Sequence, residues 1–273
     1  MANHTFVICA YKESPYLEAC IKSLKAQKSV STIKMATSTP SQYLERLCKQ
    51  YNIDYCVRDG KSNIADDWNY ALSIADTDYV TIAHQDDVYY KEYGRKIVER
   101  MENDSDIPCL IAFSDYSELR GDKESKGGLN LYIKRFLLVP IRNSSKNDKS
   151  WRKRFVLRFG NAISCPSVTY NKKEIDKLLA SCGRTELFRK HFRSNLDWEA
   201  WEWLSKNEGR FVFVPSILMS HRIHEESETS ATIRDNERGS EDYEMFCKFW
   251  PKWISRLITR AYSTSENSNE VEA

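Results

Sequence analysis

The segment Tyr79-Val80-Thr81-Ile82-Ala83-His84-Gln85-Asp86-Asp87 decides the fold. Side chains alternate between the two sides of an extended chain, and from Tyr79 to Ala83 both sides are apolar, with Thr81 between. A strand of that kind belongs in a sheet covered by helices on each face. The run turns polar at His84-Gln85-Asp86-Asp87. In such sheets ligands bind beyond the carboxyl ends of the strands, which is where the two acids fall. Adjacent carboxylates can hold a hard divalent cation, which takes oxygen ligands, and that cation can bridge a diphosphate. The same pair is also ordinary turn or cap chemistry.

Upstream, strand and helix signals alternate. Phe6–Tyr11 is a short apolar run. Ser14 and Pro15 have the chemistry of an N-cap and a first helical position, and Leu17, Cys20, Ile21 and Leu24 follow at helical spacing. Ile33–Ala36 reads as a second strand. Thr39 and Pro40 open a helix carrying Tyr43, Leu44 and Leu47, and Tyr55–Val57 reads as a third strand. A helix with Trp68, Ala71, Leu72 and Ala75 ends at Asp78. Beyond the quoted segment come a helix, Tyr93–Met101, and a strand, Cys109–Phe113. This alternation predicts an α/β fold of doubly wound, Rossmann-like type.

The pattern changes after Ser114. Residues 131–158 hold nine Lys or Arg against one acid, Asp148, so this stretch is locally +8 and the remainder of the chain −6. Tyr132, Phe136, Trp151, Phe155 and Phe159 interleave with the cations. Such a run is either a solvated face or a surface for a membrane or an anionic substrate. Ala162–Tyr170 reads as a strand, helices follow from Lys173 and from Leu196, and Phe211–Val214 and Ile217–Met219 read as two short strands. Glu225–Arg238 is polar enough for a loop. Pro251 opens a short amphipathic helix with Trp253, Ile254, Leu257 and Ile258 on one side and Lys252, Arg256 and Arg260 on another. It either packs on the domain or attaches to anionic lipid. From Ser263 to Ala273 the composition predicts a disordered tail.

The whole chain is consistent with this reading. At 273 residues it can bury roughly three quarters of its unfolded surface. Its 41% hydrophobic content excludes global disorder, and nine Gly with seven Pro exclude a collagen-like or linker-dominated chain. The net charge is +2 and no nucleic-acid module accompanies the basic run, so nucleic acid is not an expected partner. No signal peptide and no run near the ~18 apolar residues of a membrane span is visible. The eight cysteines form no CxxC pair, and several sit in apolar runs. Reduced thiols in a cytoplasmic protein are expected, with peripheral attachment at the inner face of the membrane as an extension of the basic-aromatic stretch.

Two further segments carry chemistry. Asp197, in Leu196-Asp197-Trp198, falls in the first turn of a helix starting near Ser194, where the helix dipole favours an ionised carboxylate. It is a general-base candidate, and Ser194-x-x-Asp197 equally resembles a capping box. His221-Arg222-Ile223-His224 places Arg222 and His224 on one side of an extended chain. An imidazole can complete a metal shell and an Arg can brace a phosphate, or both can be structural.

Taken in order, these segments resemble the family 2 glycosyltransferases, with the GT-A fold, over roughly residues 5–230. Phe6-Val7-Ile8-Cys9-Ala10-Tyr11-Lys12-Glu13 is similar to the family's first strand and base-binding loop. Asp66-Asp67-Trp68-Asn69-Tyr70-Ala71-Leu72 resembles the helix before the metal strand, and Tyr79–Asp87 the metal motif in a His-Gln-Asp-Asp form. Leu196-Asp197-Trp198 with Trp201 resembles the catalytic-base segment, and Arg222-Ile223-His224 the closing Arg-x-His element. The resemblance implies a GT-A domain over 1–230, built on a Rossmann-like mixed sheet flanked by helices, with a nucleotide-binding half (1–115) and an acceptor-binding half (116–230), followed by a C-terminal amphipathic helix and disordered tail (231–273).

It further implies inverting transfer from a nucleotide-diphosphate sugar to a hydroxyl of a glycan or lipid-linked acceptor in cell-surface polysaccharide synthesis. Asp86, Asp87 and His224 would hold Mn2+ or Mg2+, and Asp197 would be the base. Ala10, Tyr11, Glu13, Asp67, Asn69, Asp86 and Arg222 would contact the donor. A UDP-sugar is the favoured donor, although Ala36-Thr37-Ser38-Thr39 stands where the family usually has an acid for the base. The leading Asp of the usual Asp-x-Asp is His84, a change that bears on metal choice. Two rivals are a nucleotidyltransferase, whose phosphate loop would be Gly-rich where Ala10–Ser14 has no Gly, and a non-catalytic nucleotide-sugar-binding scaffold.

Overall fold

A computed structural model describes the backbone of residues 3–102, 106–142, 147–224 and 237–271, with side chains given up to 262 apart from that of 237. Strands β1 (His4–Ala10), β2 (Thr32–Thr37), β3 (Asp54–Val57) and β4 (Tyr79–His84) are parallel, in the order β3-β2-β1-β4. Helices α1 (Leu17–Lys25), α2 (Gln42–Tyr51) and α3 (Ile64–Ser73) connect them. The quoted segment is thus an interior strand, as its two apolar sides require. Val80 and Ile82 face a core shared with α3, and Tyr79 and Ala83 face a second core shared with α1 and α2.

The rest of the sheet is mixed, as the GT-A resemblance implies, and the parallel doubly wound pattern covers its first half. After β5 (Val88–Tyr89) and α4 (Tyr93–Met101) comes β6 (Cys109–Arg120), with β7 (Lys123–Ser125) folded back on it. Helices α5 (Leu129–Leu137) and α6 (Ser150–Leu157) lead to β8 (Val168–Asn171). That strand runs antiparallel to both β4 and β6 and joins the two halves of a nine-stranded sheet. Helices α7 (Lys172–Ser181) and α8 (Leu196–Lys206) precede β9 (Arg210–Arg222), which is parallel to β6 and antiparallel to β5. Finally α9 (Glu237–Cys247) and α10 (Lys252–Val271) pack on the outside.

Several elements differ from their sequence readings. Ser14 caps nothing helical: Tyr16 is the N-cap of α1, and the Ser14 hydroxyl accepts from the Tyr16 N–H. Ser41, not Thr39, caps α2, accepting from the Leu44 N–H at 3.3 Å. The helix with Trp68 stops at Ser73, short of Asp78. Ala162–Tyr170 is extended only from Val168, because Pro166 sits in a 3-10 turn at Cys165–Ser167. The two strands read at 211–219 are one strand, whose register slips opposite Ser114 and Asp115 where Pro215 interrupts the ladder. Residues 225–236 of the expected loop lie outside the described residues, and Arg238 belongs to α9. Where disorder was expected from Ser263, the backbone of α10 continues to Val271, with no Gly or Pro after Pro251 to stop it. Met245 and Phe246 of α9 lie in the same core as Trp198 of α8.

Candidate active site

The short pairing of β5 with β9 assembles the site. Val88 lies opposite Ser220, so the antiparallel ladder carries Asp87 and Asp86 toward His221 and Arg222 from the other end of the chain. Asp87 is fully buried. Its Oδ1 accepts from the Arg222 backbone N–H at 2.8 Å and meets His221 Nδ1 at 3.0 Å. Its Oδ2 is buried without a partner, and so is Nε2 of His84. Ligand atoms of His84, Asp86 and Asp87 lie within 4.8 Å of one another. Two orphaned buried polar atoms converging with a second carboxylate suit a divalent cation, since unpaired buried acceptors otherwise cost about 1–3 kcal/mol each.

His224 reaches this cluster through Asp86, its Nε2 lying 2.9 Å from Oδ2. Burial raises the Asp86 pKa, but the His224 hydrogen bond and the nearby His84 and His221 outweigh it and hold the carboxyl below its usual value. Burial pushes His84 down against the pull of Asp87 and Asp86, which favours the neutral imidazole that a metal ligates. Burial also opposes charge on His221, yet the charge and hydrogen bond of Asp87 prevail and raise it. Arg222 donates from Nε to the Asp86 carbonyl at 2.9 Å and from Nη1 to that of Gly121 at 3.2 Å. Its guanidinium stacks 4.3 Å from the Tyr16 ring, which also lies 5.1 Å from His224.

The loops beyond β1, β2 and β3 form a neighbouring floor. Ala10 ends β1 and is buried, whereas Tyr11 and Glu13 are exposed. Gln85 clamps Tyr11 from both sides, accepting from its N–H at 3.0 Å and donating to its carbonyl at 3.1 Å. Lys12 takes a left-handed φ of 54°, and its N–H donates to Thr39 Oγ1 at 2.6 Å. Asp67 receives Arg58 Nε at 2.8 Å and the hydroxyls of Ser38 and Ser62. The hydroxyls of 37–39 therefore tie these loops together. Asn69 does not join this group: its amide donates to the Phe188 carbonyl at 2.7 Å and accepts from the Phe188 N–H at 3.0 Å.

Asp197 lies in the first turn of α8. The capping box is absent: Ser194 Oγ has no partner, and Asn195 is the N-cap with no side-chain capping bond, its amide donating to Asp242 Oδ1 at 2.7 Å. Instead Glu241 of α9 accepts from the backbone N–H groups of Arg193, Ser194 and Asn195 at 2.7–3.0 Å. Asp197 is left to accept from Asn161 Nδ2 at 3.0 Å and from the Trp198 N–H at 2.6 Å. Burial raises its pKa to about 6, against the lowering effect of those two bonds. Burial first, then the charge of Asp197 and, among weaker contributions, that of Asp87, push the Cys165 thiol pKa up.

Sequence reading missed Tyr16, Arg58, Asn161, Cys165 and His221 as neighbours of the site. His221 had the clearest signal, since it stands beside Arg222 in the quoted His-Arg-Ile-His run. Asn161 and Cys165 lie on a connection without periodicity, and no local pattern marks them.

Comparison with known proteins follows the same lines. The sequence profile described as "Glycosyl transferase family 2" matches residues 5–163. No curated protein matches the chain. Among solved structures, S. aureus TarS 1-349 superposes with a TM-score of 0.62 at 10% identity, covering 95% of this chain and 69% of that one. The same protein in complex with UDP-GlcNAc gives a TM-score of 0.64 at 11% identity, with coverages of 95% and 70%. The mannosyltransferase PcManGT from Pyrobaculum calidifontis, in complex with GDP-Man and Mn2+, gives 0.59 at 12% identity, with coverages of 96% and 69%.

Proposed function

The chain belongs to glycosyl transferase family 2 and has the GT-A fold, and from that premise we propose that it is an inverting hexosyltransferase. It moves a sugar from a nucleotide-diphosphate donor to a hydroxyl of a glycan or lipid-linked acceptor in cell-surface polysaccharide synthesis, at an anionic membrane surface. Similar structures hold UDP-GlcNAc and GDP-Man, which supports the donor class. The observation that carries the reading is the pair of orphaned buried atoms, Asp87 Oδ2 and His84 Nε2, at the carboxyl end of β4.

Mn2+ or Mg2+, held by Asp86 and Asp87 with His84 beside them and His224 steadying Asp86, would supply Lewis-acid stabilisation of the departing diphosphate. Asp197 takes the proton of the acceptor hydroxyl. That oxygen bonds to the anomeric carbon as the carbon–diphosphate bond breaks, and the diphosphate leaves with the electron pair from the opposite side. A carboxylate with a pKa near 6 is ionised at neutral pH and still basic enough to accept the proton. Asn161 fixes one of its oxygens. Ala10, Tyr11, Glu13 and Asp67 form the base side of the donor site, with a UDP-sugar as the favoured donor. Arg222, fixed by Asp86, Gly121 and Tyr16, braces the diphosphate. Asn69 supports the site from behind, through Phe188.

A thermal-shift panel of nucleotide sugars with and without Mn2+ tests the reading, since a ligand that binds only the native state raises its apparent stability. One donor is expected to stabilise the protein, more strongly with Mn2+. If none does, the reading falls. Donor hydrolysis by the wild type, lost in Asp197→Asn while donor binding persists, separates a transferase from a scaffold. Asp87→Asn is expected to remove the metal-dependent part of donor binding.

A further inference from the structure

We propose that the outer face of α5 seats the protein on an anionic lipid bilayer, beside the wall of the active site. Leu129, Tyr132, Ile133 and Phe136 recur at i, i+3, i+4 and i+7, so they form one stripe along the helix. They are exposed by 77, 63, 46 and 75%. An apolar stripe on the outside of a helix whose other side is already packed marks a binding surface. The inner side of α5 is packed. Leu131 is buried, Lys134 Nζ donates to the Tyr116 hydroxyl at 2.9 Å, and Arg135 Nε donates to Asp115 at 2.8 Å. Tyr116 in turn meets the ring of His221, the partner of Asp87. One helix therefore touches the site wall with one face and solvent with its apolar other.

Adjoining helices also expose large apolar side chains. Arg152 of α6 donates to the Pro140 carbonyl in the turn after α5, and Trp250 before α10 donates to the Arg158 carbonyl after α6. Trp151 on α6, and Trp253 and Leu257 on α10, are exposed.

The choice of a bilayer rests on charge. Much of the basic run points inward: besides Lys134 and Arg135, Lys153 is buried on the carbonyls of Asn207 and Gly209, Arg154 pairs with Glu202, and Arg158 stacks 3.8 Å from the Trp250 ring. Lys146 lies outside the described residues. Arg142 of the run, and Lys252 and Arg256 on α10, are exposed cations, and Asp148, the only acid in 131–158, pairs with Lys149. A two-fold dimer through this face would set cations against their own copies, whereas anionic headgroups neutralise them. Docking stands on the surface itself; that the bilayer carries the acceptor rests on the glycosyltransferase reading above.

Flotation of the full chain with phosphatidylcholine vesicles, with and without phosphatidylglycerol, tests the proposal. The protein is expected to float with the phosphatidylglycerol vesicles and to be released by salt, as screening requires. Leu129→Ser/Phe136→Ser, both at exposed positions, is expected to weaken binding by about tenfold or more, with the melting temperature and the donor thermal shift unchanged. Lys252→Glu/Arg256→Glu is expected to weaken binding to the anionic vesicles alone. Failure of the wild type to float, or equal flotation of the Leu129/Phe136 variant, overturns the proposal. So does a wild-type dimer in light scattering that this variant converts to monomer. Loss of the donor thermal shift in the wild type would strike the glycosyltransferase reading and leave the flotation result standing.

Discussion

Asp197 shows how a single environment sets a proton affinity. Buried at the start of α8, it would be difficult to ionise, and its two hydrogen bonds bring the pKa back only to about 6. The basic form is the ionised one, so turnover is expected to rise as pH climbs through about 6 and to level off above it. Asn161 favours the charged form by donating to Oδ2. Asn161→Ala is therefore expected to move this acid limb to higher pH while leaving donor affinity in place, a shift that a pH–rate profile reads directly. Asp197→Asn is expected to lower kcat by about 10²–10⁴, the usual range for general-base catalysis, and to abolish the limb itself. An unchanged profile in Asn161→Ala would mean that the limb belongs to another group.

At the scale of elements, the start of α8 depends on a side chain from α9. Three consecutive backbone N–H groups at 193–195 end on the Glu241 carboxylate, a charge-assisted cap supplied from 46 or more residues away. Glu241→Ala leaves these donors without it and is expected to cost about 1–3 kcal/mol in urea unfolding, and to lower kcat because Asp197 sits in the turn so released. Glu241→Gln, which keeps an acceptor, should recover part of both. The capping box looked plausible in sequence because Ser194 and Asp197 have the right spacing, but a remote carboxylate supplies the cap, and no local window contains it. The same limit governed β5. Two residues have no period to detect, yet their pairing with β9 is what unites Asp86 and Asp87 with Arg222 and His224. By contrast β4, from Tyr79 to His84, and α4, from Tyr93 to Met101, were legible to the residue, because burial on both faces or on one stripe leaves a repeating pattern. The site was legible as segments in order; the meeting of Asp86 and Asp87 with Arg222 and His224 was not, since it is a property of sheet order.

Across the whole molecule, one buried polar chain stitches the sheet where its two halves meet. His4 on β1 lies 2.8 Å from Thr81 on β4, which lies 2.6 Å from Thr169 on β8, and Tyr93 of α4 joins at 3.2 Å. The other ring nitrogen of His4 meets Ser31 at 2.9 Å. Burial lowers the His4 pKa from 6.5 to about 3, so the folded protein keeps a neutral imidazole far into acid. As pH falls below 6.5 the unfolded chain takes up a proton that the folded one refuses, and stability is lost progressively toward about pH 3. Asp197 acts in the opposite sense: its folded pKa of about 6 exceeds the ordinary 3.8, so its protonation adds stability as pH falls between those values. Urea unfolding followed from pH 7 to pH 4 is expected to separate the two, at about 1.4 kcal/mol for each tenfold change in proton affinity. His4→Gln, which retains a donor and an acceptor, should flatten the acid loss. Asp197→Asn should steepen it and raise stability at pH 7, where it removes a buried charge. Parallel curves for His4→Gln and the wild type would show that the sheet junction does not set the acid limit of the fold.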